Sequence, residues 1–117
     1  MITPILKGKT QNQMKASKKK IDKEKLLEWR NKGLEKANYQ CEYCGKKEYL
    51  NAHHFYSRQD YKLRYDEDNC FILCSGCHTL SSIFSAHKTP ADFVEWAIKK
   101  RGNKWYKRVR EKHWNYD

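Results

Sequence analysis

The chain opens without an apolar period. In residues 1–20 the apolar positions are scattered among lysine, glutamine and serine, and Lys18, Lys19 and Lys20 close the stretch. Residues 1–20 are therefore expected to form a flexible basic arm. Helical spacing begins near Asp22, a possible cap, with Leu27, Leu34 and Ala37 near one face, Gly33 as a weak point and Asn38 as a stop. Residues 49–56 contain a short strand, and 57–69 are polar and aperiodic, hence a long loop. Cys70-Phe71-Ile72-Leu73-Cys74 is a short continuous apolar run, the pattern of a buried strand. A helix is expected from about Gly76 through Phe84. The clearest helix start is Thr89-Pro90-Ala91-Asp92: a cap, a proline at the first helical position and an acid at the positive end of the dipole. Phe93, Val94, Ala97 and Ile98 then form an apolar stripe that Gly102 ends. A last helix over 103–114 turns Trp105, Val109 and His113 inward and Lys104, Lys107, Arg108 and Lys112 outward.

Composition narrows what these elements can do. A chain of 117 residues that is 38 % hydrophobic and 33 % charged buries a small core, so a metal, disulfides or a partner should support it. Aromatics at 14 % argue against a disordered basic protein. The net charge of +11 is uneven: residues 1–30 and 99–117 carry +6 each, and 31–98 carry −1. Two basic flanks around a near-neutral module suit a polyanion, above all a phosphate backbone. No apolar run approaches the roughly 20 residues of a membrane span. The first residues lack the apolar core of a secretory signal, so a cytoplasmic protein is expected. Neither flank sets a basic face against a clean apolar stripe, which disfavours a membrane surface.

Cys41-x2-Cys44 and Cys74-x2-Cys77 are two knuckles separated by 29 residues. Thiolates so spaced on tight turns can share one tetrahedral Zn²⁺ at about 2.3 Å each, and four sulfurs leave no open position, so the site would be structural. Such a metal would supply folding free energy that the core lacks. A disulfide framework fits poorly with the odd fifth cysteine, Cys70, and duplication of the knuckle disfavours a redox pair. Cys70 itself reads as a small buried hydrophobe.

Between and beside the knuckles stand His53, His54, Asn69 and His78. Taken singly, each has an ordinary structural role; His78, for example, could orient a zinc cysteine. Taken together, His54, fourteen residues, Asn69, eight residues, His78 is a spacing that resembles the HNH endonuclease family, in the branch whose four cysteines bracket the active site. The resemblance covers Cys41 to His78, about one third of the chain. Residues 55–58 and 64–69 also look like phage recombination-type members.

The resemblance implies a small α+β protein with a ββα-metal core over 39–88, stapled by the four-cysteine zinc site. That core would sit in a single nuclease domain, 21–117, with basic C-terminal helices over 90–115. It makes His54 the general base, His53 and His78 ligands of a catalytic divalent metal (Mg²⁺, Mn²⁺ or Ni²⁺), and Asn69 the residue that fixes the loop and the base. Histidine, with an ordinary pKa of about 6.5, suits deprotonation of water near neutrality. Its second nitrogen must then rest on a fixed acceptor. Since neighbours on a strand face opposite ways, His53 and His54 can serve one site only if the strand is irregular at 52–55.

Two departures stand out. Some members carry another histidine where this chain has Ser82, and His87 could replace it only if the chain turns back. Two protein ligands would leave metal affinity weak without substrate. Phe55-Tyr56-Ser57-Arg58 stands where many members have an apolar residue and a proline, which bears on loop conformation. Arg58 and Arg64 either clamp phosphate or tie to the loop's acids. Lys18, Lys19, Lys20, Lys104, Lys107 and Arg108 are expected to hold DNA phosphates without reading sequence. The expected activity is metal-dependent nicking of DNA by a monomer with low sequence specificity. The alternatives are a non-catalytic zinc-binding nucleic-acid module, or a subunit that acts only within a phage or restriction assembly.

Overall fold

A computed structural model describes residues 11–115. In chain order they build helix α1 (Gln11–Lys36), strand β1 (Leu50–His54), a 3-10 turn (Glu67–Asn69), strand β2 (Cys70–Cys74), a π-helical turn (Gly76–Leu80), helix α2 (Pro90–Arg101) and helix α3 (Asn103–Trp114). β1 and β2 pair antiparallel from Leu50↔Cys74 to His54↔Cys70. The result is a small α+β fold around a two-stranded sheet.

β2 is buried on both faces, which its unbroken apolar run requires. Alternation sends Phe71 and Leu73 into a core with Phe93, Ala97, Trp105 and Val109 of α2 and α3. Cys70 and Ile72 face the other way, against Trp29 and the half-buried Leu26 and Leu34 of α1 and Ala37 just after it. The sheet is thus held between α1 and the C-terminal helix pair.

α1 corrects two expectations. It starts at Gln11, so the segment 11–20 is helical where an arm was expected, and Asp22 lies inside the helix. Residues 1–10 of that arm lie outside the described residues. The helix over 11–20 follows from propensity: lysine, glutamine, alanine and methionine fill most of that segment, and residues 11–32 contain no glycine or proline. The buried face also runs through Trp29 and Gly33, and Leu27 is 56 % exposed. Asn38 in the left-handed conformation (φ 58°) ends the helix, with Tyr39 N–H bonded to Leu34 O at 2.8 Å.

Gly33 is the point of closest approach between α1 and β2. A Cβ there would sit 2.5 Å from Cys70 Sγ and 3.3 Å from Ile72 Cδ1. Gly33→Ala should therefore destabilise, because overpacking costs about 1–3 kcal/mol and outweighs the ~1 kcal/mol propensity gain. Urea unfolding checks this, and in a Cys70→Ala background the same change should become neutral or stabilising.

Asp22 ties α1 to the loop. Its carboxylate accepts from Arg64 Nε (2.8 Å) and Nη2 (2.7 Å) and from Tyr65 Oη. The bond from Arg64, then that from Tyr65, holds its pKa at about 2 instead of 3.8. Because the folded value is the lower one, the stabilisation is full above pH 3.8 and fades as pH falls toward 2. The gap in urea midpoint between wild type and Asp22→Asn should accordingly be present at pH 7 and close near pH 2. A gap independent of pH would contradict the assignment.

The C-terminal elements follow the sequence reading closely. Pro90 opens α2 and Gly102 (φ 92°) closes it. Thr89 gives α2 no side-chain cap. Its Oγ1 is engaged instead with Ser85 N–H and Ser85 O, both at 2.9 Å. The helix expected through Phe84 is only the turn over Gly76–Leu80, closed by Ser81 N–H to Gly76 O at 2.9 Å. Ser81 Oγ then accepts from Ile83 and Phe84 N–H at 3.2 Å each, offering the backbone an alternative to helix. No helix among the described residues is long and apolar enough to cross a membrane.

Candidate active site and zinc cluster

The first knuckle is a tight turn. Gly45, at φ 81°, donates to Cys41 O at 2.9 Å, and Cys41 N–H reaches Lys46 O at 2.8 Å. Glu42 fixes this turn to the outer edge of β2: Glu42 N–H bonds Ile72 O at 2.8 Å, and Glu42 Oε2 accepts from Ile72 N–H at 2.6 Å. The second knuckle joins the end of β2 to the π-helical turn. The ligand atoms of Cys41, Cys44, Cys74 and Cys77 all lie within 4.8 Å of one another, with Cys44 Sγ and Cys74 Sγ 3.6 Å apart. Two thiolates each about 2.3 Å from one tetrahedral zinc stand roughly 3.8 Å apart, so the cluster could hold zinc. Burial opposes ionisation of Cys41, but N–H groups of Cys44, Cys74 and Tyr43 outweigh it and bring the thiol to about 7. Cys70 lies outside the cluster, and burial pushes its thiol up to about 12.

β1 carries His53 and His54. Its pairing is regular through His54 and continues with Phe55 N–H to Asn69 O at 3.2 Å, so the irregular strand end expected at 52–55 is absent. Alternation accordingly parts the two rings. His53 packs beside Phe93, His78 and His87, with ring centroids 5.1, 5.1 and 5.3 Å away. His54 turns toward α1 and stacks on Trp29 at 3.9 Å. Both nevertheless border one cavity of about 390 Å³, together with Ala52, Ser57, Arg58, His78 and His87. A strand end opening into a cavity can present both its faces there without a bulge.

His54 is oriented from two sides. Its Nε2–H donates to Arg64 O at 2.9 Å, which leaves Nδ1 as the nitrogen with a lone pair. Trp29, beneath the ring, is itself anchored by Nε1–H to Asp66 O at 2.9 Å. Burial is the main cause that lowers the pKa of His54 below 6.5, against the bond to Arg64 O, so the ring is neutral near pH 7. Burial, then the neighbouring His78, His87 and His54, lowers His53 to about 3. His78 is lowered too, by burial and then His87.

Asn69 is fully buried and uses its whole amide. Oδ1 accepts from Tyr56 N–H (2.7 Å), and Nδ2 donates to Tyr56 O (3.0 Å) and Leu63 O (3.1 Å). It thereby pins the two ends of the loop, one residue before the carbonyl that holds His54. α3 clamps the same loop from outside: His113 Nδ1 lies 2.6 Å from Asp60 Oδ2, and its ring stacks on Tyr56 at 4.1 Å.

The chain turns back after the π-helical turn. Ala86 N–H bonds Cys77 O at 2.9 Å and His87 N–H bonds His78 O at 3.0 Å, which brings His87 into the site. Ligand atoms of His53, His78 and His87 lie within 4.8 Å of one another, and the Nε2 atoms of His78 and His87 are 3.2 Å apart. Nitrogens about 2.0–2.1 Å from one tetrahedral ion stand roughly 3.3 Å apart, so the set fits a single metal. Ser82 is exposed and outside this group.

The basic residues divide. Arg58 is exposed and borders both the histidine cavity and an adjoining groove of about 470 Å³ that also touches Lys23, Arg30 and His54. Arg64 is committed to Asp22 and to Arg58 O, so of the two alternatives it takes the internal tie, though to Asp22 and not to an acid of its own loop. Arg108 pairs with Asp68 at 2.7 Å and borders a separate cavity beside Cys70. Lys18, Lys19 and Lys20 are exposed on α1, and Lys104 and Lys107 on α3. Trp29 is the site residue that the sequence reading did not single out. Its spacing of four from Gly33 was the available signal.

Residues 41–82 match the family model described as HNH endonuclease, a stretch that holds both knuckles, His53, His54, Asn69 and His78. No curated protein and no solved structure matches the chain. The four-cysteine cluster is consistent with the zinc branch of that family. Over residues 41–82 the chain is thus similar to the HNH endonuclease family, a similarity that suggests a nuclease-type function.

Proposed function

We propose that this protein is a metal-dependent DNA endonuclease that nicks one strand at a time, with His54 as general base. The single observation that carries the reading is the 2.9 Å contact of His54 Nε2 with Arg64 O, which selects the Nε2–H tautomer because a carbonyl only accepts. The ring's Nε2–H is spent on Arg64 O, and the ring borders the cavity that holds the other histidines. Nδ1 of His54 takes a proton from the water that attacks phosphorus. The bond to Arg64 O keeps the ring in that tautomer and stabilises the imidazolium that forms. The P–O bond to the 3′-oxygen breaks, and that oxyanion takes a proton from solvent water, leaving a 5′-phosphate and a 3′-hydroxyl. Arg58, at the cavity edge, is placed to hold a phosphate oxygen. Asn69 acts at a distance, by fixing the loop that carries the acceptor carbonyl.

His53 and His78 are proposed to hold a divalent ion. When bound, that ion supplies charge neutralisation at the phosphoryl group and the leaving oxygen. Lys18, Lys19 and Lys20, with Lys104 and Lys107, are proposed to bind phosphates, while Arg64 and Arg108 serve internal pairs. Such contacts position DNA without reading bases, so sequence specificity is low. The test is conversion of supercoiled plasmid to open circle by mildly chelated protein, with and without added Mg²⁺, Mn²⁺ or Ni²⁺. The proposal expects metal-dependent nicks. Tight binding with no cleavage of any DNA form would replace it with a non-catalytic binding module or a partner-dependent subunit.

A further inference from the structure

The donor set around His53 says more about the metal than the family match does. His87 lies beyond the matched residues 41–82. It nonetheless reaches the site, because the return segment is built to deliver it. Backbone bonds from Ala86 to Cys77 and from His87 to His78 lay that segment along the π-helical turn. Ser85 behind it is fully buried and bonded through its backbone to Thr89 and through its Oγ to Lys88 N–H at 3.0 Å. Lys88 Nζ also reaches Leu80 O at 3.0 Å. The backbone under His87 is therefore set without help from DNA. Among the described residues the cavity lining includes no carboxylate, and the ligating group is three imidazoles.

We propose that His87 is the third protein ligand of the candidate catalytic metal, and that the three-imidazole centre takes a late first-row ion such as Zn²⁺, Ni²⁺ or Co²⁺ in preference to Mg²⁺. The inference rests on the reading of His53 and His78 as ligands and adds a residue and a metal class to it. Imidazole suits Zn²⁺, Ni²⁺ and Co²⁺, and affinity for such sites rises along the first-row series toward copper. Mg²⁺ is a hard ion that prefers oxygen donors, keeps several waters and dehydrates reluctantly. A preformed set of three histidines also replaces the expectation of two ligands and weak affinity without substrate.

Cobalt(II) absorption tests this apart from activity. The protein is prepared with zinc in the cysteine site and with other ions removed by mild chelation. Co²⁺ is then titrated without DNA. One Co²⁺ per chain should give visible d–d bands without the sulfur-to-cobalt band that a thiolate site would show. His87→Ala, at an exposed position, should keep its zinc content and weaken Co²⁺ binding by about 100-fold, the upper end of what loss of even a ligand's orienting partner costs. Ser82→Ala should bind as wild type does, and a large excess of Mg²⁺ should fail to displace Co²⁺. Equal Co²⁺ affinity in wild type and His87→Ala would overturn the role of His87. Displacement by Mg²⁺ at comparable concentration would overturn the metal class. Co²⁺ bound through His87 in a protein that nicks no DNA would remove the nuclease reading and leave this one standing.

Discussion

Stripping zinc from the four-cysteine cluster is expected to unfold this protein and not merely to loosen it. Cys41, Cys74 and Cys77 are part of the main core, in one cluster with Phe71, Phe93 and Trp105. Without a metal, four thiols at van der Waals range stand where a covalent-strength link would join the two knuckles, and the 41–44 turn is left on β2 by the hydrogen bonds of Glu42 with Ile72. Apparent zinc affinities of such sites reach about 10–16 kcal/mol at neutral pH. That is comparable to the whole stability of a typical domain, about 5–15 kcal/mol. A strong chelator should therefore abolish far-UV dichroism and shift tryptophan emission to the red, and zinc should restore both. Cys74→Ser should not accumulate as folded protein. Metal-free protein with native dichroism would show that the sheet and helices stand without the cluster.

Asn69→Ala carries the next largest effect. It removes three hydrogen bonds and strands Tyr56 N–H, Tyr56 O and Leu63 O in or near the core. Each buried unpaired group costs about 1–3 kcal/mol, so a loss of about 3 kcal/mol or more is expected. Activity should fall further than stability alone explains. The loop from Tyr56 to Leu63 loses its internal tie, and Arg64 O, the next carbonyl, loses its fixed place under His54. Urea unfolding measures the first effect. Nicking by the variant at a temperature where it remains folded measures the second. A variant as stable as wild type would contradict the role given to this amide.

Much of the fold was legible because its signals are local. Pro90, Gly102 and the Phe93–Ala97 spacing marked α2, and the apolar run marked β2. The cysteine knuckles, whose spacing is constrained by ligand chemistry, and the His54, Asn69 and His78 spacing, which carries the family resemblance, marked the candidate site. What escaped was set by tertiary contact. The buried face of α1 depends on Gly33 meeting Cys70, which no periodicity reports. The Arg64 carbonyl that holds His54, and the Trp29 ring beneath it, come from segments linked only by folding. His87 depends on a chain reversal after Ser81, where a longer helix was expected. Arg64 was open between phosphate and an internal pair, because the Asp22 that claims it lies on a distant helix.

The most direct test of the central claim is the single-turnover nicking rate of wild type and His54→Ala, compared at saturating protein and equal zinc content. His54 is half-buried against Trp29, so its removal leaves the knuckles and the exposed lysines proposed to bind DNA in place. General-base catalysis contributes about 10²–10⁴-fold, and the variant's rate should fall by that factor with DNA affinity unchanged. Equal rates for the two proteins would contradict His54 as the base.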